Sequence, residues 1–129
     1  LKEIDYGDAE GLNLNQLNQK YPRILKFWKK GLDPKFPKGE SLRDTSDRLN
    51  KFLNDEIISK KIIRNQNYLI FTHNVILRCL IGSIYNIKKK EWFKINIKYF
   101  DLLEFRLENS RLLGNIKREK YLSIFKNFY

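Results

Sequence analysis

The spacing of apolar positions predicts helices first. Leu42, Thr45, Leu49, Phe52, Leu53 and Ile57 recur at intervals of three and four, which lays them along one face of a helix. Ser41 precedes the run and Asp44 follows three positions later, the arrangement in which a hydroxyl and a carboxylate satisfy the free amides of a helix start. This helix is expected to end around residues 61–65. Upstream, residues 5–11 carry two glycines and three acids and read as a loop. Leu12, Leu14 and Leu17 then lead to Tyr21-Pro22, where the fixed φ of Pro22 can open a helix running through Phe27 and Trp28 to Gly31. Pro34 and Pro37 make residues 32–38 a constrained loop.

The pattern changes at residues 68–72. Tyr-Leu-Ile-Phe-Thr is a short apolar run with no alternation, as expected of a strand buried on both faces. Residues 75–85 are apolar enough for a buried helix and 91–95 for a short one. Residues 99–107 alternate as a strand does, with 111–116 as a possible hairpin partner. The order helix, strand, helix, strand predicts an α/β layered architecture with a parallel sheet flanked by helices.

Composition narrows the class. A chain of 129 residues, 42% hydrophobic and 32% charged, is one domain's worth of sequence, so neither a disordered nor a multidomain chain fits. No apolar run approaches the roughly 18 residues that span a bilayer, and Leu1-Lys2-Glu3 lacks the apolar stretch of a signal peptide. With Cys79 as the one cysteine, no internal disulfide or cysteine-based zinc cluster can form, and a cytoplasmic location is expected. The 26 Lys and Arg against 15 Asp and Glu give a net charge of +11, which raises the question of a polyanionic partner. Yet Lys, Asn, Ile, Phe and Tyr abound while Ala9 and Val75 stand alone of their kind, a bias that A/T-rich codons produce. The run Lys88-Lys89-Lys90 has no aromatic ladder beside it and reads as a solvated helix start rather than a nucleic-acid patch.

Three places could carry chemistry. His73, the one histidine, directly follows the apolar strand at the start of the next helix, where strand ends and helix amides bind anions in α/β sheets. Its bland alternative is a ring that only hydrogen-bonds a loop carbonyl. Arg78 lies one turn further on among apolar neighbours, and a guanidinium there needs an anion or must reach out to water. Glu3 and Asp5, beside Tyr6 and Gly7, form an acidic turn whose carboxylates are either general-acid candidates or ordinary solvated acids. Cys79, mid-helix, reads as core filler, and Trp28 and Trp92 as core or rim aromatics.

Taken together, three blocks resemble the histidine phosphatase superfamily, of phosphoglycerate mutase-like fold. Leu1-Lys2-Glu3-Ile4-Asp5-Tyr6-Gly7-Asp8-Ala9-Glu10-Gly11 is similar to its L-x-E-x-x-x-G-x-x-E-G segment. Phe36-Pro37-Lys38-Gly39-Glu40-Ser41-Leu42, with Asp44 and Arg48, is similar to its P-x-G-E-S helix opening. Thr72-His73-Asn74-Val75-Ile76-Leu77-Arg78-Cys79-Leu80 resembles the segment of its second active-site histidine, with Asn74 closest to the glutamine of the fructose-2,6-bisphosphatase branch.

The resemblance implies a three-layer αβα fold with a mostly parallel sheet and a two-step phosphoryl transfer through a phosphohistidine, with no metal or other cofactor. A small phosphorylated metabolite is the implied partner, and neither nucleic acid nor membrane is. By position, Glu3 would be the proton donor to the leaving oxygen and His73 the second histidine on the phosphoryl group. Asn74, Arg78 and, by analogy with the mutase branch, Tyr6 would contact phosphate or substrate. The family's nucleophile lies in an R-H-G motif that this sequence does not contain. The resemblance therefore implies a C-terminal portion of one such domain, its N-terminal strands missing, working as a phosphomonoester phosphatase. The alternatives are a mutase or a phosphate-binding pseudoenzyme.

Overall fold

A computed structural model describes residues 1–59, 68–98, 102–108 and 111–114. Four α-helices carry most of that structure: α1 (Leu14–Lys20), α2 (Pro22–Lys29), α3 (Leu42–Phe52) and α4 (Asn74–Ile84). The strands β1 (Phe105–Glu108) and β2 (Arg111–Gly114) pair antiparallel, with Phe105 opposite Gly114 and Glu108 opposite Arg111.

The helix starts follow from capping chemistry. At α3 the Ser41 side chain accepts from the Asp44 amide at 3.2 Å and the Asp44 carboxylate accepts from the Ser41 amide at 2.9 Å, the reciprocal box read from the sequence. Asp33 adds a second anchor, accepting from the amides of Leu42 at 2.6 Å and Arg43 at 3.0 Å. The helix continues into a π-helical turn, Leu53–Ile58, and its expected end falls outside the described residues. Pro22 opens α2 as expected, and Gly31 beyond its end takes φ +68°. The sequence reading left α1 out; Asn13 and Gln16 cap it with a polar box, and it has no buried residue, so no apolar stripe marked it.

The core is built around α4. Val75, Ile76, Cys79 and Ile81 pack with Leu49 of α3, with Ile4 from the N-terminal segment, and with Trp92, Ile95 and Ile97 from the stretch after α4. Gly82 permits the Trp92 indole to lie against the helix, since a Cβ there would overlap the ring. The indole nitrogen in turn donates to the Ile87 carbonyl at 2.9 Å, so this buried donor is satisfied. Residues 91–95, expected as a short helix, form a 3₁₀ stretch, Lys89–Lys94. Lys88, Lys89 and Lys90 are all exposed, consistent with a solvated start.

The expected buried strand at residues 68–72 is corrected. The segment is not part of a ladder, and Leu69 and Phe71 are 69% and 87% exposed. A parallel strand obtains its hydrogen bonds from neighbours on both sides, and among the described residues the one sheet is the β1–β2 hairpin, so no neighbour is present. A mostly parallel three-layer sheet is accordingly not what these residues form. The expected hairpin near the C-terminal end does form, though residues 99–101 and 115–116 of the predicted strands lie outside the described residues.

Candidate active site

Residues 1–6 run without helix or strand until a 3₁₀ turn at Gly7–Ala9, so their placement depends on anchors from elsewhere. Ile4 is one anchor, 1% exposed in the core, which turns its neighbours Glu3 and Asp5 away from that core. Residues 37–40 are another. The Asp8 amide donates to the Pro37 carbonyl at 2.9 Å and the Glu40 amide to the Asp5 carbonyl at 2.7 Å. Gly7, at φ +52°, and Gly39 permit this approach, because a Cβ on either would collide with the opposing backbone.

Glu3 thereby faces the start of α4. Its Oε1 accepts from the Ile4 amide at 3.0 Å and its Oε2 from the Val75 amide at 3.4 Å, across 72 positions of sequence. Thr72 Oγ1 donates to the Leu1 carbonyl at 3.0 Å, so residues 1–3 and 72–75 lie in step, side by side. The first amides of a helix have no acceptor within it, and Glu3 accepts from one of them. His73 occupies the capping position of α4 with extended backbone (φ −113°, ψ 166°); its side chain makes no capping bond and is exposed. The imidazole is therefore available to a ligand rather than spent on a loop carbonyl.

Glu3, Thr72, His73 and Asn74 share the wall of a cavity of 1490 Å³ with apolar side chains that include Leu49, Leu53, Ile76, Leu77, Leu80 and Phe105. Ligand pockets are ordinarily about 300–1,000 Å³, so this space is larger than a small metabolite needs. Asn74 is partly committed, its Nδ2 donating to the Ile97 carbonyl at 3.1 Å. That bond ties α4 to the following loop and leaves the amide oxygen and the backbone N–H for other work.

Tyr6 and Arg78 do not line this cavity. They respond instead to Glu3 and to each other. Burial pushes the Tyr6 phenol above its ordinary range, the Glu3 charge adds to this, and Arg78 opposes it. Burial likewise pushes the Arg78 guanidinium down, with Tyr6 and Glu3 acting the other way. Arg78 Nε is buried and has no hydrogen-bond partner among the described residues, an unspent donor close to the Glu3 charge. Tyr6 is fixed by a stack on Trp28 (centroids 6.0 Å apart) and an edge contact with Phe36 (5.0 Å). So Trp28, read from sequence as a core or rim aromatic, supports a site residue.

The structure thus groups the five expected residues into two sets joined by Glu3. Glu3, His73 and Asn74 line the cavity, while Tyr6 and Arg78 are outside its lining and interact with the Glu3 charge. Among the described residues, no three or more His, Cys, Asp or Glu gather as a metal cage, and no helix is long and apolar enough to cross a membrane. Sequence reasoning missed the partners of this turn, Glu40 and Arg48, although both stood in a recognised block. The signal was their spacing: eight positions apart, with Glu40 just before the helix and Arg48 two turns into it, they can meet.

The family model of the histidine phosphatase superfamily (branch 1) matches residues 1–115. The chain belongs to the histidine phosphatase superfamily, an α/β family. Its relatives include proteins named 2,3-bisphosphoglycerate-dependent phosphoglycerate mutase. That of Parvibaculum lavamentivorans is 27% identical over 123 residues, covering 95% of this chain and 57% of that protein. That of Allorhizobium ampelinum is 32% identical over 98 residues (75% and 46%), and that of Bartonella henselae 35% over 92 residues (70% and 44%). This superfamily member spans about half the length of the curated relatives it matches.

Proposed function

We propose that these residues form the C-terminal part of a cytoplasmic phosphomonoester phosphatase of the superfamily, acting on a small phosphorylated metabolite through a phosphohistidine. The observation that carries the reading is the Glu3 carboxylate held against the amide of Val75, two residues from an exposed His73, on one cavity wall. That arrangement puts a proton donor, an imidazole and helix amides around one position. In this reading the sheet is mostly parallel in a three-layer domain, completed by strands from outside these 129 residues.

The chemistry runs in two displacements. A histidine supplied from outside these residues attacks phosphorus; the N–P bond forms, the ester P–O bond breaks, and protonated Glu3 gives its proton to the departing oxygen. Water then attacks the phosphohistidine, Glu3 takes a proton from it, the N–P bond breaks and inorganic phosphate leaves. His73 and the first amides of α4 hold the equatorial oxygens as charge builds on them. Arg78 adds a cation to the same region, its unspent Nε available to a phosphate oxygen. Tyr6, steadied by Trp28 and Phe36, and the free oxygen of Asn74 bear on the rest of the substrate.

A second reading is favoured by the names of the relatives. In a phosphoglycerate mutase that depends on 2,3-bisphosphoglycerate, the phosphohistidine is handed back to a phosphoglycerate instead of to water. One experiment tests both. The polypeptide that includes the attacking histidine is assayed with p-nitrophenyl phosphate and with 3-phosphoglycerate plus 2,3-bisphosphoglycerate, each with chelator present. Turnover of the first supports the phosphatase and interconversion of phosphoglycerates the mutase, and Glu3→Gln lowers whichever is seen by about 10²–10⁴-fold. Neither activity, with a melting temperature raised by phosphate, replaces both readings with a binding protein.

A further inference from the structure

We propose that Arg48 and Glu40 are positioning residues that aim the Glu3 carboxylate at the start of α4. This rests on the reading of Glu3 as the acid. Neither residue lines the cavity, and the bond that joins them to the site runs from Arg48 to the backbone of Glu3.

The geometry is a clamp that adds side-chain bonds to a segment lying outside any helix or strand. Arg48, on α3, donates from Nε to Glu40 Oε1 at 2.7 Å and from Nη2 to Glu40 Oε2 at 3.0 Å, a two-point ion pair. The same Nη2 donates to the backbone carbonyl of Glu3 at 2.8 Å. Glu40 Oε2 accepts from the Asp5 amide at 3.0 Å and from Thr45 Oγ1 at 3.2 Å, while the Glu40 amide reaches the Asp5 carbonyl. The peptide groups on both sides of Ile4 are therefore held by one ion pair, whose side chains are 25% and 18% exposed. Fixing the Glu3 carbonyl sets the direction in which its side chain leaves the backbone, and that direction ends at the Val75 amide.

Only a planar fork performs this task. Lysine at position 48 keeps the charge but is a point donor that cannot bridge both Glu40 oxygens while reaching the Glu3 carbonyl. Glutamine at position 40 keeps the shape and loses the charge assistance. A displacement of the acid by about 1 Å is enough to cost about 10²-fold in rate without changing what binds.

The test reads geometry and chemistry separately. In the ¹⁵N-labelled chain, the Val75 amide shift is followed through the carboxylate titration range, with Glu3→Gln as the variant that removes the response. Arg48→Lys is expected to reduce the amplitude at least about twofold while the Trp92 indole resonance stays in place. In the polypeptide that turns over a phosphate ester, the same substitution is expected to lower kcat about 10–100-fold with KM within about twofold. Glu40→Gln is expected to move both readouts the same way, and it decides the matter should Arg48→Lys unfold the chain. An unchanged Val75 response and unchanged kcat in these variants, while Glu3→Gln abolishes both, would overturn the positioning role alone. Activity surviving Glu3→Gln would instead overturn the acid reading.

Discussion

Glu3 Oε2 accepts a hydrogen bond from the Val75 amide, joining the third residue of the chain to the first turn of α4. That contact makes one electrostatic unit of pieces far apart in sequence. Tyr6 and Arg78, which do not line the cavity, sense the same carboxylate.

The Tyr6 phenol reports on that unit. Burial raises its pKa first, the Glu3 charge raises it further, and Arg78 lowers it. Removing a neighbouring anion makes the phenolate easier to form, so Glu3→Gln is expected to lower the Tyr6 pKa. Arg78→Met, which removes a cation, is expected to raise it. Tyrosine ¹³Cζ titrations, with Tyr6→Phe to identify the signal, check both signs.

Asp44 sets an acid limit on α3. The Ser41 amide, Lys35 and the Ser41 hydroxyl hold its carboxyl down at about 2, against an ordinary 3.8. A carboxyl depressed in the folded state stabilises it above the unfolded value, and that stability disappears as pH falls through the folded value. The melting temperature of the wild type should therefore exceed that of Asp44→Asn at pH 6. The gap should narrow below pH 3.8 and close near pH 2.

Cys79 is expected to be chemically silent. Burial, with smaller contributions from Asp33 and Glu3, pushes its thiol up to about 12, so almost no thiolate exists at neutral pH. Ellman's reagent at pH 7.5 should leave the folded chain unmodified and react with one thiol per chain in 6 M guanidinium.

Gly82 and Trp92 provide a test of the core. A methyl group at position 82 would overlap the indole, so Gly82→Ala is expected to destabilise by about 1–3 kcal/mol through overpacking. Leu49→Ala, at a site 1% exposed between α3 and α4, is expected to cost about 2–5 kcal/mol through the opposite fault, a cavity. Urea unfolding followed by tryptophan fluorescence measures both.

What could be read in advance follows how local each cause is. The start of α3 was legible because Ser41 and Asp44 are three residues apart, and α4 because its apolar residues are contiguous. His73 at a helix start was legible for the same reason. The strand at 68–72 was misread because an apolar run states only a capacity for pairing; the pairing depends on a neighbour that no residue within the run encodes. Glu3 with Val75 and Arg48 with the Glu3 carbonyl span 72 and 45 positions, and nothing near either residue announces them. Arg78 was recognised as a cation in need of a partner, and its buried Nε has none among the described residues.

The segment carrying Leu69, Ile70 and Phe71, outside the one sheet among the described residues, bears on how this polypeptide behaves at high concentration. Three consecutive exposed apolar side chains are a patch on which a second molecule can associate. The +11 net charge opposes such encounters through long-range repulsion. Salt shortens that repulsion to about 10 Å at 0.1 M and about 3 Å at 1 M. Solutions of the isolated chain should therefore stay clear in dilute buffer and turn cloudy as salt is added, the reverse of salting-in. A charged residue in place of Phe71 should move that cloud point to higher salt.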